Sequence, residues 1–173
     1  MKVWLLASII TVGSITVVLA WTNRHENPLP ADARAELVVV NKAQRLLTLY
    51  DNGQPLKSYP IALGRNPVGA KEYEGDKRTP EGSYRIDYRK ANSGYYRALH
   101  ISYPNAADTE AARKKGLSAG GAIMIHGQRN GFGWIGKLHR LSDWTLGCIA
   151  VTNREMAELW RAVPDGTPIE LKP

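Results

Sequence analysis

The sequence predicts a mainly β domain with two helices, of the α+β class. Three observations carry this. Short β-branched and apolar runs recur between turn residues, an Asn-Gly pair separates two of them, and two later stretches carry helix-capping signals. The chain has 173 residues, ordinary for a single domain, with 43% hydrophobic and 23% charged residues. Those values exclude a long disordered region, a collagen-like repeat and a multi-span membrane protein. No internal repeat is present.

Residues 36–41 and 45–50 are rich in Val, Leu and Thr and read as strands. Asn52-Gly53 follows, the pair that best tolerates the positive φ angles of a two-residue hairpin turn. Residues 56–63 complete a meander that ends at Gly64. Residues 84–88 alternate after the turn Thr79-Pro80-Glu81-Gly82, and 100–103 and 122–126 read as two more strands. A helix is predicted over 106–115, after Asn105 and before Gly116. The second helix opens on Thr152 and Glu155, an S/T-x-x-E capping box. Met156, Leu159, Trp160 and Val163 then share one helical face, Pro164-Asp165-Gly166 ends it, and 168–171 forms a last strand.

Residues 1–20 hold one charge, Lys2, followed by an apolar run. That is the pattern of an export signal, with Val18-Leu19-Ala20 as a small-residue cleavage site. The uncharged stretch 3–21 also reaches the roughly 18–20 residues of a membrane span, so inner-membrane attachment stays open beside cleavage. Both readings put the rest of the chain outside the cytoplasm, in the periplasm or cell envelope. Residues 21–35, with Pro28 and Pro30, read as a linker, and 36–173 as the folded domain. The net charge is +7, or +6 once Lys2 is taken away. A basic exported domain suits an anionic envelope polymer, and no helix-turn-helix or aromatic-basic RNA motif supports a nucleic-acid partner.

Cys148 is the one cysteine, which rules out an internal disulfide and any multi-cysteine metal site. A thiol becomes a nucleophile when a nearby base or cation favours the thiolate, and histidine is the usual base. His126, at the end of an apolar strand, is one candidate; His100 and His139 are others on residue type, and His25 lies in the linker. Gly147 lets a carbonyl approach the backbone beside the thiol. Between His126 and Cys148 runs a loop with Gly131, Gly133, Gly136, Phe132 and Trp134, read as a mobile wall over a groove. The bland alternative is that Cys148 is a small buried hydrophobe and His126 a strand-end residue.

Together the opening meander, the segment 79–84 and His126-Gly127 ahead of Thr145-Leu146-Gly147-Cys148 resemble the L,D-transpeptidase catalytic domain of bacterial cell-wall enzymes. The resemblance spans about 36–171 and implies that family's mostly β sandwich. It implies that Cys148 is the nucleophile, His126 the general base, and the Gly127 carbonyl the orienting group. Backbone N–H groups of Gly147 and Cys148 would hold the oxyanion, with Thr145 shaping the turn. The implied substrate is a peptidoglycan stem peptide as acyl donor and an amine as acceptor, with no metal or cofactor. Water as acceptor would make the protein a carboxypeptidase.

Three departures stand out. The spacer between His126 and Thr145 is eighteen residues, one beyond the usual range; Leu146 replaces a histidine; Ala150 replaces a polar residue. His139 is a low-ranking substitute for the missing histidine. Leu146 and Ala150 also fit a rival class, a non-catalytic peptidoglycan-binding module, against which the retained His126-Gly127 and Gly147-Cys148 weigh. A thiol peptidase on an unrelated protein is a further alternative.

Overall fold

The structure, a computed structural model, describes residues 27–173. The export segment read at 1–20 lies outside those residues. Among the described residues are eight strands and two α-helices. In chain order they are β1 (Leu37–Asn41), β2 (Leu46–Asp51), β3 (Gln54–Pro60), β4 (Gly82–Ser93), β5 (Tyr96–Ile101), α1 (Ala106–Lys114), β6 (Met124–His126), β7 (Ile149–Ala150), α2 (Asn153–Ala162) and β8 (Pro168–Lys172). The sheet order is β3-β2-β1-β8-β4-β5-β6-β7. β1 pairs with β8 and β6 with β7 in parallel, and the remaining pairs are antiparallel.

β4 joins two half-sheets, because its first residues pair with β8 and its later ones with β5. The two halves enclose one core. Val38 and Val40 from β1, Leu47 and Leu49 from β2, Leu99 and Ile101 from β5 and Ile169 from β8 all reach it with no exposed surface. Each such side chain contributes roughly 1.5–3 kcal/mol relative to exposure. α2 closes one side through Met156, Leu159 and Ala162. Its capping box is formed as the sequence predicts: Thr152 Oγ1 accepts from Glu155 N while the Glu155 carboxylate accepts from Thr152 N. α1 carries a second box, with Asn105 and Asp108 in the same roles.

The sequence reading and the structure part company at several edges. β3 ends at Pro60, so 61–64 leaves the meander instead of extending it. That segment crosses to β7: Ala62 and Ala150 exchange both backbone hydrogen bonds (2.9 and 2.8 Å), and Thr145 N donates to Leu63 O. The first and last strands of the sheet are thereby linked. β4 runs five residues beyond the predicted 88, through exposed Arg89 and Lys90 that carry no apolar alternation. β5 starts at Tyr96 rather than 100, and β7, only two residues long, has no pattern to read. In the described part of the stretch read as a linker, Leu29 and Ala35 are buried and Arg161 donates to Leu29 O, so packing begins before residue 36.

Two buried lysines fix the long segment between β3 and β4. Lys42 Nζ bonds to Gly69 O (2.6 Å), Thr79 O (3.0 Å) and Glu81 Oε1 (2.6 Å). Lys71 Nζ pairs with Asp76 Oδ1 at 2.8 Å, and the Asp76 carboxylate also accepts from the backbone of Glu72, Tyr73 and Arg78. A buried charge persists only when paired in this way. The sequence motif at 79–82 therefore earns its residues structurally, with Thr79 Oγ1 accepting from Gly64 N.

Candidate active site

β6 and β7 bring His126 and Cys148 together. Ile125 is in register with Ile149, and His126 with Ala150. Side chains alternate along a strand, so Ile125 and Ile149 point into the core while His126 and the residue just before β7, Cys148, share the opposite face. The two sit on adjacent strands, one step diagonal to each other.

The His126 ring is 5% exposed and packed between aromatic rings, Tyr95 at 4.6 Å and Trp144 at 5.7 Å between centroids. Its Nδ1 lies 2.6 Å from Gly127 O. A carbonyl only accepts, so Nδ1 carries the proton and Nε2 keeps its lone pair. Burial pushes the imidazole below its ordinary pKa, and the Gly127 carbonyl partly opposes this. The ring is oriented by backbone.

Cys148 is half-buried, and its Sγ lies 3.6 Å from Ala122 O. Burial pushes the thiol up; a backbone hydrogen bond from Met124 and the positive charge of Lys71 act against that. Burial thus disfavours the charged form of both groups.

Thr145 braces the turn before the thiol. Its Oγ1 donates to Cys148 O at 2.7 Å and accepts from Gly147 N at 3.1 Å. This corrects one sequence-based expectation: the Gly147 N–H is engaged inside the turn and does not point to an oxyanion. Gly147 has φ +131, and a Cβ there would lie 2.7 Å from Arg78 O, so no other residue fits. Leu146, where the resembled family carries histidine, is 68% exposed.

The other histidines are placed elsewhere. His100 lies on β5, across the width of β6 from Cys148, with Nδ1 2.6 Å from Asp87 Oδ1 and its ring stacked on Tyr88. His139 sits in a 3-10 segment, Gly133–Leu141, and accepts from Trp144 Nε1 at 3.4 Å. Burial, then the charge of Arg140, push it down to about 3. Both His139 and His126 pack edge-on to Trp144, at 6.3 and 5.7 Å between centroids. The loop read as a wall over a groove contains this 3-10 segment, tied by Gln128 Nε2 to Gly136 O.

Sequence reading missed Tyr95, Trp144 and Asp143. Asp143 takes a two-oxygen ion pair from Arg45 and the Leu63 N–H, anchoring the turn to the meander. Only Trp144, adjacent to the cysteine motif, had a positional signal. Among the described residues no three His, Cys, Asp or Glu side chains cluster as metal ligands.

His126 ends β6 and Cys148 immediately precedes β7, the last two strands of the sheet. The family model YkuD, L,D-transpeptidase catalytic domain, matches residues 35–171, and the chain belongs to that family. It is 32% identical over 132 residues to a protein of Escherichia coli (strain K12) named "Putative L,D-transpeptidase YafK", covering 73% of this chain and 46% of that one. A Bacillus subtilis (strain 168) relative with the corresponding name, YqjB, is 31% identical over 148 residues, 83% of this chain and 73% of its own. The chain thus spans less than half the length of YafK. Among solved structures, the helical cell shape determining protein Pgp2 from Campylobacter jejuni superposes with a TM-score of 0.62 at 25% identity, covering 88% of this chain and 53% of that one. An L,D-transpeptidase from Mycobacterium smegmatis shares the fold, with a TM-score of 0.53 at 16% identity over 80% of this chain and 59% of that one.

Proposed function

We propose that the domain is a cysteine acyltransferase that acts on peptidoglycan stem peptides in the cell envelope, with Cys148 as nucleophile and His126 as general base. The observation that carries this is the shared face of His126 and Cys148, with Nδ1 tied to the Gly127 carbonyl so that Nε2 is the basic atom.

Sγ attacks the carbonyl of the stem's third residue as its proton passes to His126 Nε2. The Cys148 N–H is the backbone donor next to the developing oxyanion, at the turn that Thr145 holds rigid. Collapse breaks the amide bond; His126 returns the proton to the departing amine of the terminal D-amino acid, leaving a thioester. An acceptor amine then attacks the thioester, gives its proton to His126, and the thiol re-forms with that proton. Water in place of the amine gives hydrolysis by the same steps.

Incubation of the protein with a stem tetrapeptide, followed by mass spectrometry, tests this. Released D-alanine, with a cross-linked or trimmed peptide, is the expected result. Tight binding without release would favour a non-catalytic binding module.

A further inference from the structure

One peptide group holds the His126 ring. Its carbonyl, Gly127 O, lies 2.6 Å from His126 Nδ1, and its N–H, that of Gln128, donates to Asn153 Oδ1 at 2.8 Å. A peptide unit is planar, so fixing the direction of the N–H fixes that of the C=O. Hydrogen bonds at the two ends also polarise one another, which makes the carbonyl a better acceptor. Gln128 N can only donate, so the oxygen end of the Asn153 amide faces it.

The sheet does not hold this peptide group. It ties the backbone around His126: Gly127 N donates to Arg97 O, and His126 O accepts from Val151 N. β6 ends there, and the next N–H turns to a side chain instead. Asn153 opens α2, which the Thr152–Glu155 box and the buried Met156 and Leu159 anchor. Its amide is wedged between two glycines. A Cβ on Gly127 would lie 2.7 Å from Asn153 Oδ1, and a Cβ on Gly133 would lie 2.6 Å from Nδ2. Glycine at both places lets the amide reach the backbone.

We propose that Asn153 is a positioning residue for the general base, setting the tautomer of His126 through the peptide group between Gly127 and Gln128. Resting on the acyl-transfer reading, this gives α2 a part in the reaction that its distance in the chain from His126 conceals. Nε2 keeps its lone pair only while Nδ1 carries the proton, and Nδ1 carries it because a carbonyl faces that nitrogen. Without Asn153 Oδ1 the peptide group is free to turn. The Nε2–H tautomer then competes, and that nitrogen cannot take a proton from the thiol.

Long-range ¹H–¹⁵N spectra of the full chain, with the His126 ring assigned through His126→Gln, read the tautomer without any turnover. The unaltered protein should show the Nδ1–H form. Asn153→Leu, similar in size but without an acceptor, should give a mixture of both forms. It should also lower kcat for D-alanine release roughly ten-fold while KM changes by less than about two-fold. Asn153→Asp keeps the acceptor and should restore the tautomer and most of kcat. A role in packing alone would leave the tautomer unchanged in both variants. Should Asn153→Leu fail to fold, Asn153→Ala, which a helical turn accepts readily, should give the same mixture. An Nδ1–H ring in every variant, an Nε2–H ring in the unaltered protein, or an Asp variant no better than the Leu variant overturns the proposal. D-alanine release by the unaltered protein separately reports the acyl-transfer reading. No release with an Asn153-dependent tautomer removes that reading alone, and release with an Asn153-independent tautomer removes the positioning role alone.

Discussion

The carbonyl oxygen of Gly127 lies 2.6 Å from Nδ1 of His126, the residue before it. A backbone group therefore does what a carboxylate does in many catalytic triads, fixing the tautomer without adding a negative charge. The carbonyl favours the imidazolium only in part, and burial outweighs it, so the imidazole is depressed while burial raises the thiol.

This predicts the pH dependence of thiol alkylation. The Cys148 thiol is pushed above its ordinary value, so its iodoacetamide rate should be low at neutral pH and climb through the alkaline range. Because His126 is pushed below its ordinary value of about 6.5, turnover should persist into mildly acidic solution before the base protonates. An alkylation plateau near pH 6–7 would instead reveal a preformed ion pair. His126→Ala should cut turnover by about 10²–10⁴-fold, and His139→Ala far less.

Cys148→Ala should abolish D-alanine release while leaving the circular dichroism spectrum unchanged, since no second thiol exists. Residual turnover at the wild-type rate would end the covalent mechanism.

Thr145→Val removes both the bond to Cys148 O and the acceptor for Gly147 N. The Gly147 N–H is then buried without a partner, at a cost of about 1–3 kcal/mol in urea unfolding. Turnover should fall as the turn loosens, and Thr145→Ser should restore most of both. If Thr145→Ser behaves like Thr145→Val, the hydroxyl is not the relevant group.

Lys71→Met leaves Asp76 buried without its cation, their side chains being 4% and 3% exposed in the native pair. Loss of about 3–5 kcal/mol is expected by chemical denaturation. In the wild type the Asp76 pKa is depressed, so its contribution is full above the ordinary aspartate value of about 3.9 and fades as pH falls through the lower folded value. The variant should lack that acid-side decline. A loss below 1 kcal/mol would show that the loop does not depend on the pair.

Legibility in the sequence follows interaction range. Asn52 and Gly53 both adopt positive φ, 49° and 73°, as their turn chemistry demands, and Thr152 with Glu155 forms its box, because these signals are complete within a few residues. The sequence motif also led to the Cys148 and His126 pair. Invisible were the features set by distant partners. β7 is set by its pairing with β6 and the bridge from Ala62, and Asp143 matters because Arg45 and Leu63 reach it. The Gly147 N–H was assigned to an oxyanion because local reasoning could not see the Thr145 hydroxyl turning back onto it.

The exchange of backbone bonds between Ala62 and Ala150 has a bearing on how a peptide can approach. β7 is held by β6 on one side and by this bridge on the other, so the strand after Cys148 offers no open edge. Main-chain pairing, the sequence-indifferent way in which many proteins grip extended peptides, is closed off there. Whatever meets this face of the domain meets side chains there, and the stretch between Gln128 and Leu146 supplies many of them above a sheet that its replacement would leave intact.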